Sequence, residues 1–486
     1  MILGASTILL VAAIFFTGWR MAKKDKSNYA IALIVIGALL LRMFVAADPY
    51  FHDWDEQYHA MVAKNLVAHP WKPTLYEYPF LDYNYKDWSN NHIWLHKQPM
   101  ALWLMALSIK VFGAFIWAVR LPSVLLSSIS VLLTYHISRS LFDRKIAFFA
   151  AFLHAIHGLS IELAGGRVAT DHIDTSFTFF FELGILCGLE FAKKPNFLWA
   201  IMLGLSTGIA VLTKWLPGLI IFPIGFLFCW QSRIPFAKIV FWGIFIFLVS
   251  AAVFLTWQFY IMSAFPKEAQ YEYFYNNIHL TKGVEGHAHP FYYHFNKMRM
   301  IYGELIYLPM IWLLWQLAKQ VKPLNFKFLV LIVWIFIPYL FFSFAATKMQ
   351  AYTLFTAPAI FIVTALFYYY VQEQKVKFKY SYLATLVGIL LWVLPIRYSI
   401  ERIKPFAKAN KEKKAFVQSV QSLDIGHLDK SKTVIFNATY PIQMMFFTGV
   451  SAYAYLPEKA KIDALKQDGI EVLVWENGKI ITSPPK

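Results

Sequence analysis

A mostly α-helical protein that crosses a membrane many times is predicted by three observations. Apolar residue types make up 58% of the chain and charged types only 15%, outside the balance of water-soluble domains. The apolar residues fall in runs close to the ~20 residues that a bilayer-spanning helix requires. Lys and Arg gather in short clusters between those runs, the pattern of cytoplasmic loops facing anionic lipid. The net charge of +17 is therefore loop charge, and no nucleic-acid partner is expected, since such a surface would place the charge on one face. Cys187 and Cys229 both lie inside apolar runs and suggest no disulfide framework.

The opening MILGASTILLVAAIFFTGW has no basic leader and is followed by Arg20, Lys23, Lys24 and Lys26. It reads as an uncleaved span with its N-terminus outside. Counting this run, at 2–19, spans are predicted also at 29–47, 121–138, 146–164, 175–192, 197–213, 216–231, 236–257, 301–318, 327–346, 351–371 and 380–396, about twelve in all. The apolar segment 99–117 is interrupted by Lys110 and Gly113, and whether it crosses reverses the side of everything after it. If it lies in the interface, the clusters Arg139/Arg144/Lys145, Lys193/Lys194, Arg233/Lys238, Lys319/Lys322/Lys327 and Lys375/Lys377/Lys379 share one side with the Lys23 cluster. The positive-inside rule favours that solution, so 99–117 is read as an interfacial amphipathic helix. The loops 48–120 and 258–300, and the tail, then face outward together. Arg167, Asp171, Lys214 and Lys348 sit at the outward edge of the spans, and the chemistry is expected on that extracytoplasmic face.

Two units follow: residues 1–400, a membrane unit with those two long loops, and residues 401–486, a small extracytoplasmic α/β appendage. In the appendage KTVIF, AYAYL and IEVLVW read as strands, and PEKAKIDALKQDG as an amphipathic helix ending at a glycine.

The polar stretch HDWDEQYHAMVAKNL, residues 52–66, stands out in so apolar a chain. Trp54, Tyr58, Met61, Val62 and Leu66 recur at helical spacing, so it reads as a short amphipathic helix at the outer surface. Asp53 and Glu56 have the spacing of a capping box, which explains them without chemistry. Asp55 is covered less well by that explanation and is a candidate proton acceptor or metal ligand. Downstream, Lys97 precedes Pro99 in HIWLHKQPM. The predicted helix start there makes a candidate anion site, while lipid-headgroup snorkelling is the plain alternative for the lysine.

Six motifs, DEQY (55–58), HKQP (96–99), RLPS (120–123), GGRVATDHIDTSFTFF (165–180), LTKWLPG (212–218) and FFSFAATKMQAYTLFTAPA (341–359), occur in this order. Together they resemble the bacterial branch of the protein O-mannosyltransferase and lipid A aminoarabinose transferase family, GT-C membrane glycosyltransferases that use polyprenyl-phosphate sugars. The resemblance runs from about residue 48 to 360. It implies a catalytic Asp55 with Glu56 beside it, Lys97 on the donor phosphate, and Lys348 and Tyr352, with Ser343, in the pattern Ser-x-x-x-x-Lys-x-x-x-Tyr. It also implies a divalent-metal site reached by His287 of HAHPFYY and by the position before Lys97, where the family's Glu is replaced by His96.

The expected activity is inverting transfer of a sugar from a polyprenyl-phosphate donor to an acceptor lipid, glycan or protein at a multi-pass inner membrane. Membrane lipids surround the site, Arg167 and Lys214 are further phosphate-binding candidates, and no nucleotide cofactor is expected because no phosphate-loop or dinucleotide motif is present. A transporter or flippase is the alternative from another class, since ionisable residues around many spans also line substrate paths.

Overall fold

The computed structural model describes residues 2–169, 171–319, 325–375, 381–476 and 478–481. Lys322, Lys377 and Lys379, from two of the basic clusters, and the side chain of Asp171 lie outside the described residues.

The chain opens with an antiparallel pair, α1 (Ile2–Lys23) and α2 (Ser27–Ala46). A polar loop then carries the short helix α3 (Asp55–Ala68) and leads to α4 (Pro99–Phe112), α5 (Ile116–Leu141), and the bent pair α6 (Arg144–Ala155) and α7 (Gly158–Ala164). Next come α8 (Asp171–Lys193), α9 (Phe197–Lys214), α10 (Ile221–Gln231), α11 (Phe236–Ala264) and α12 (Pro266–Thr281). The membrane part closes with α13 (Tyr293–Tyr302), α14 (Tyr307–Lys319), α15 (Phe326–Phe344), α16 (Ala357–Gln374) and α17 (Ser381–Ile403). Among the described residues nine helices are long and apolar enough to span a bilayer, or ten if α6 and α7, bent by 49°, count as one. The chain is an integral membrane protein.

Two predicted spans are broken, which lowers the count from about twelve. The run 216–231 begins as a 3₁₀ turn at Leu216–Ile220, where Pro217 and Gly218 sit, and leaves only the 11-residue α10. Such a helix is about 16 Å long against a hydrocarbon core of about 30 Å. The run 301–318 is interrupted at Gly303, whose φ of +101° ends α13 before α14 begins. The segment 99–117 is a helix only to Phe112. It buries Leu102, Met105, Ala106 and Ile109 and exposes Leu107, Val111 and Phe112, two faces on one helix.

The tail forms α18 (Lys411–Gln421), β1 (Thr433–Phe436), α19 (Pro441–Thr448), β2 (Ser451–Ala452), α20 (Lys459–Gln467), β3 (Glu471–Glu476) and β4 (Lys479–Ile481). The sheet order is β2-β1-β3-β4, with β1 parallel to both neighbours and β4 antiparallel to β3. Its core is continuous with that of the polar loop. Phe51 meets Phe446 edge-on at 4.8 Å, Tyr76 stacks on Tyr453 at 5.0 Å, and the Tyr453 hydroxyl accepts from the amides of Phe80 and Leu81. Lys64 on α3 donates to the carbonyls of Met445 and Phe446 in the last turn of α19, and Asp53 accepts from Lys413 at 2.6 Å. The loop that bears Asp55 is thus clamped between the tail and the membrane helices.

Candidate active site

The helix carrying Asp55 does not start with a capping box. Its N-cap is Trp54, at φ 69° and ψ −133°, whose side chain makes no capping hydrogen bond. Glu56 instead turns into the protein, where Arg120 engages both of its oxygens at 2.6 and 3.1 Å. The remaining guanidinium hydrogens go to the carbonyls of Ala46, Asp48 and Tyr50. Glu56 also accepts from the backbone amide of His52 at 2.6 Å, and its carboxylate lies 2.9 Å from His52 Nδ1 and 3.5 Å from His172 Nε2. The capping expectation fails because a fully buried arginine with five donors outcompetes two helix amides for the carboxylate.

Electrostatics follow from these contacts. Burial alone would raise the Glu56 carboxyl, yet Arg120, His52 and His172 hold it well below the usual carboxylate range. Burial would lower His52, but Glu56 on one ring nitrogen and Asp48 on the other raise it, as suits an imidazolium donating from both nitrogens. Asp48 in turn takes Arg167 at 2.9 Å, and Arg167 also donates to the carbonyl of Ile403. Arg167 therefore belongs to this buried lattice and is engaged away from Asp55. Gly166, at φ +71°, allows the lattice to close, because a Cβ there would overlap the Glu56 carboxylate.

Asp55, one residue away, faces the other direction. Its Oδ2 lies 3.7 Å from Lys97 Nζ, with both side chains largely buried. The pair forms because the N-terminal ends of α3 and α4 meet. Pro99 begins α4, Gln98 is its N-cap, and Gln98 is itself held by Gln258 of α11 at 3.0 Å. Lys214, at the end of α9, pairs with Asp174 on α8 and lies 4.9 Å from the centre of the Tyr352 ring. Lys348 is 4% exposed and donates to the carbonyl of Ala345. Its segment is fastened to the end of α12 by the amides of Ala346 and Thr347 and to the carbonyl of His287 by its own amide. Ser343, one turn before, is buried at the end of α15. Asp55, Lys97, Lys214, Asp174, Tyr352 and Lys348 thus gather at one end of the bundle.

His96 and His287 are held by different partners. His96 stacks on Trp88 at 4.9 Å, and its Nδ1 lies 3.6 Å from Glu272 Oε2. His287 is tied through its backbone to Val284 and Lys348. Among the described residues no group of three or more His, Cys, Asp or Glu is arranged to hold a metal. The His96 and Glu272 pair supplies two donors, where a closed zinc site takes four and a catalytic one three.

Asp174 and Arg120 are functional candidates that motif reading missed, although both lie within motifs singled out above. Their signal was position: a charged group on the apolar α5 and another on α8, each near the same end of the bundle. A third, Tyr58, packs edge-on against Trp88 at 5.0 Å. Burial and then the negative charges of Asp87 and Asp55 push its hydroxyl up, which keeps it protonated.

Residues 96–257 match the family described as dolichyl-phosphate-mannose-protein mannosyltransferase. An undecaprenyl phosphate-alpha-4-amino-4-deoxy-L-arabinose arabinosyl transferase of Pseudomonas aeruginosa (strain UCBPP-PA14) is 28% identical over 292 residues, 55% of this chain and 49% of that protein. An uncharacterised protein of Aquifex aeolicus is 29% identical over 59% of this chain and 56% of its own length. The chain thus spans about half the length of the curated relatives it matches. The fold is that of ArnT from Cupriavidus metallidurans, solved with undecaprenyl phosphate, with a TM-score of 0.58 at 13% identity over 90% of this chain and 88% of that one. It is shared also with the archaeal oligosaccharyltransferase AglB from Archaeoglobus fulgidus, solved with an inhibitory peptide and a dolichol-phosphate (TM-score 0.53, 13% identity, 92% and 69% coverage).

Proposed function

We propose that this chain, a membrane-embedded relative of the protein O-mannosyltransferase and lipid A aminoarabinose transferase family, transfers a sugar from a polyprenyl-phosphate donor to an acceptor hydroxyl. The site would lie on the extracytoplasmic face of the inner membrane, the side opposite the basic short loops. The observation that carries the reading is the Asp55 carboxylate 3.7 Å from Lys97, with Lys214, Tyr352 and Lys348 at the same end of the bundle: an acceptor of protons beside a set of cations.

A glycosyl phosphate presents two demands. Charge accumulates on the leaving phosphate, and the acceptor loses a proton. Lys97, Lys214 and Lys348 supply positive charge in a largely buried setting where it is poorly screened. Asp55 takes the acceptor proton as the acceptor oxygen bonds to the anomeric carbon; the bond from that carbon to the phosphate oxygen breaks, and polyprenyl phosphate departs. Attack opposite the leaving group inverts the anomeric centre. Asp174 is a positioning residue, holding Lys214 over the Tyr352 ring. This reading calls on no nucleotide.

The test is transfer by the purified chain supplied with a polyprenyl-phosphate sugar, read as release of polyprenyl phosphate and mass gain of the acceptor. Asp55→Asn is expected to lower turnover by about 10²- to 10⁴-fold, and Lys97→Ala to weaken donor use. Wild-type rates in both variants would defeat the assignment. Envelope lipids and glycans of a deletion strain, compared by mass spectrometry, identify the acceptor.

A further inference from the structure

We infer that residues 404–414, between the last membrane helix and the tail, form a surface that binds phosphate-bearing lipid headgroups on the face that carries Asp55. The sequence there is KPFAKANKEKK. Lys404, Lys408, Lys411 and Lys414 are all exposed and have no ion pair among the described residues. The nearby acids are already engaged: Glu401 with Arg397 at 2.8 Å, Glu412 with the Tyr440 hydroxyl at 3.0 Å, and Asp53 with Lys413 at 2.6 Å. Among the described residues none of these four lysines is paired with a carboxylate, and Glu412, bonded to a neutral hydroxyl, is outnumbered by them.

Their level relative to the bilayer is set by two contacts. Ile400, one turn before Lys404, is the last outward-facing apolar residue of α17, a face that also exposes Leu386, Ile389, Val393 and Ile396. Pro405 packs directly on Gly4 of α1, where Ile2 and Leu3 are strongly exposed. Lys404 therefore emerges where two lipid-facing helices end, and Phe406, 53% exposed, lies beside it. An exposed aromatic flanked by lysines suits the boundary of acyl chains and headgroups.

The placement is also unfavourable without an anion. Lys411, Lys413 and Lys414 occupy the first four residues of α18, at the positive end of the helix dipole, where cations are disfavoured. A lysine run on the side that the short-loop charges assign to the extracytoplasm is likewise an exception to the positive-inside rule. Headgroup phosphates relieve both penalties. Because Lys413 bridges to Asp53, two residues from Asp55, and α19 packs on α3, the surface would hold the tail and the Asp55 loop at a fixed height. The inference is independent of the sugar-transfer reading.

The test uses the full chain in nanodiscs of phosphatidylcholine, with and without phosphatidylglycerol, and follows amide exchange of residues 406–414. Slower exchange in the anionic discs, abolished by high salt, is expected. Changing Lys404, Lys408, Lys411 and Lys414 to Ser should remove the difference, each lysine contributing about fivefold to the segment's membrane affinity. Strand Thr433–Phe436 reports that the tail remains folded in the variant. Equal exchange in both discs, or a difference that survives in the variant, overturns the inference. Equal protection by inorganic phosphate in neutral discs overturns the lipid assignment in favour of a soluble anion.

Discussion

Glu56 and Asp55 are adjacent in sequence, yet the structure predicts opposite responses to removing their charges. Glu56 and Arg120 have fully buried side chains, so Glu56→Gln leaves a guanidinium without its counter-ion. Breaking a buried pair in this way costs about 3–5 kcal/mol. Arg120→Met goes further, because it leaves a buried carboxylate and also strands the carbonyls of Ala46, Asp48 and Tyr50, each worth about 1–3 kcal/mol when unpaired. Asp55→Asn removes the charge that faces Lys97 at 3.7 Å, where both side chains keep some exposure, with an expected stability change of about 1 kcal/mol, smaller than that of breaking the Glu56–Arg120 pair. Thermal unfolding in one detergent should therefore rank the losses Arg120→Met, then Glu56→Gln, then Asp55→Asn, whereas transfer activity should be lost in Asp55→Asn with the smallest shift in melting of the three. Wild-type melting of Glu56→Gln together with abolished transfer would refute the reasoning and move Glu56 into the chemistry.

Three further outcomes follow from the same geometry. Gly166→Ala forces a Cβ against Glu56 at φ +71° and should cost more than about 1 kcal/mol, seen as a lower melting temperature with the loop 48–56 losing amide protection. Tyr453→Phe removes the acceptor for two loop amides and should destabilise the contact between tail and loop by about 1–3 kcal/mol, read as faster exchange at residues 80–81 with the sheet unchanged. The loop should also respond to pH on two sides. Stability from the depressed Glu56 is present above the ordinary carboxylate pKa of about 4.3 and is lost as the pH falls through its lower folded value. That from the raised His52 is complete below about 6.5 and is lost as the pH rises through its higher folded value. Limited proteolysis of the loop across pH measures both limbs, and His52→Gln should abolish only the alkaline one.

Much of the candidate site was readable without coordinates, and the failures are specific. Asp55 and Lys97 were singled out because a carboxylate and a lysine at helix starts are conspicuous in so apolar a chain, and they do meet. Glu56 was assigned to capping because spacing along one helix is all that local reasoning sees. Its actual partner, Arg120, is 64 residues away. Arg167 looked like a phosphate ligand at a membrane edge, but Asp48, 119 residues earlier, holds it. Asp174 passed unnoticed within DHIDTSF, where it resembles an ordinary acid in the first turn of a helix.

Apolar run length is a sum over neighbouring residues, so the sequence by itself determined that this chain lies in a membrane. Breaks in the runs were harder to judge, since Pro217 and Gly303 end helices only when neighbouring packing supplies the alternative. Which carboxylate faces which cation depends on the rotation of each helix about its axis and on contacts between distant segments. That is why tertiary structure alone could separate Asp55, turned toward Lys97, from Glu56, turned into a buried lattice.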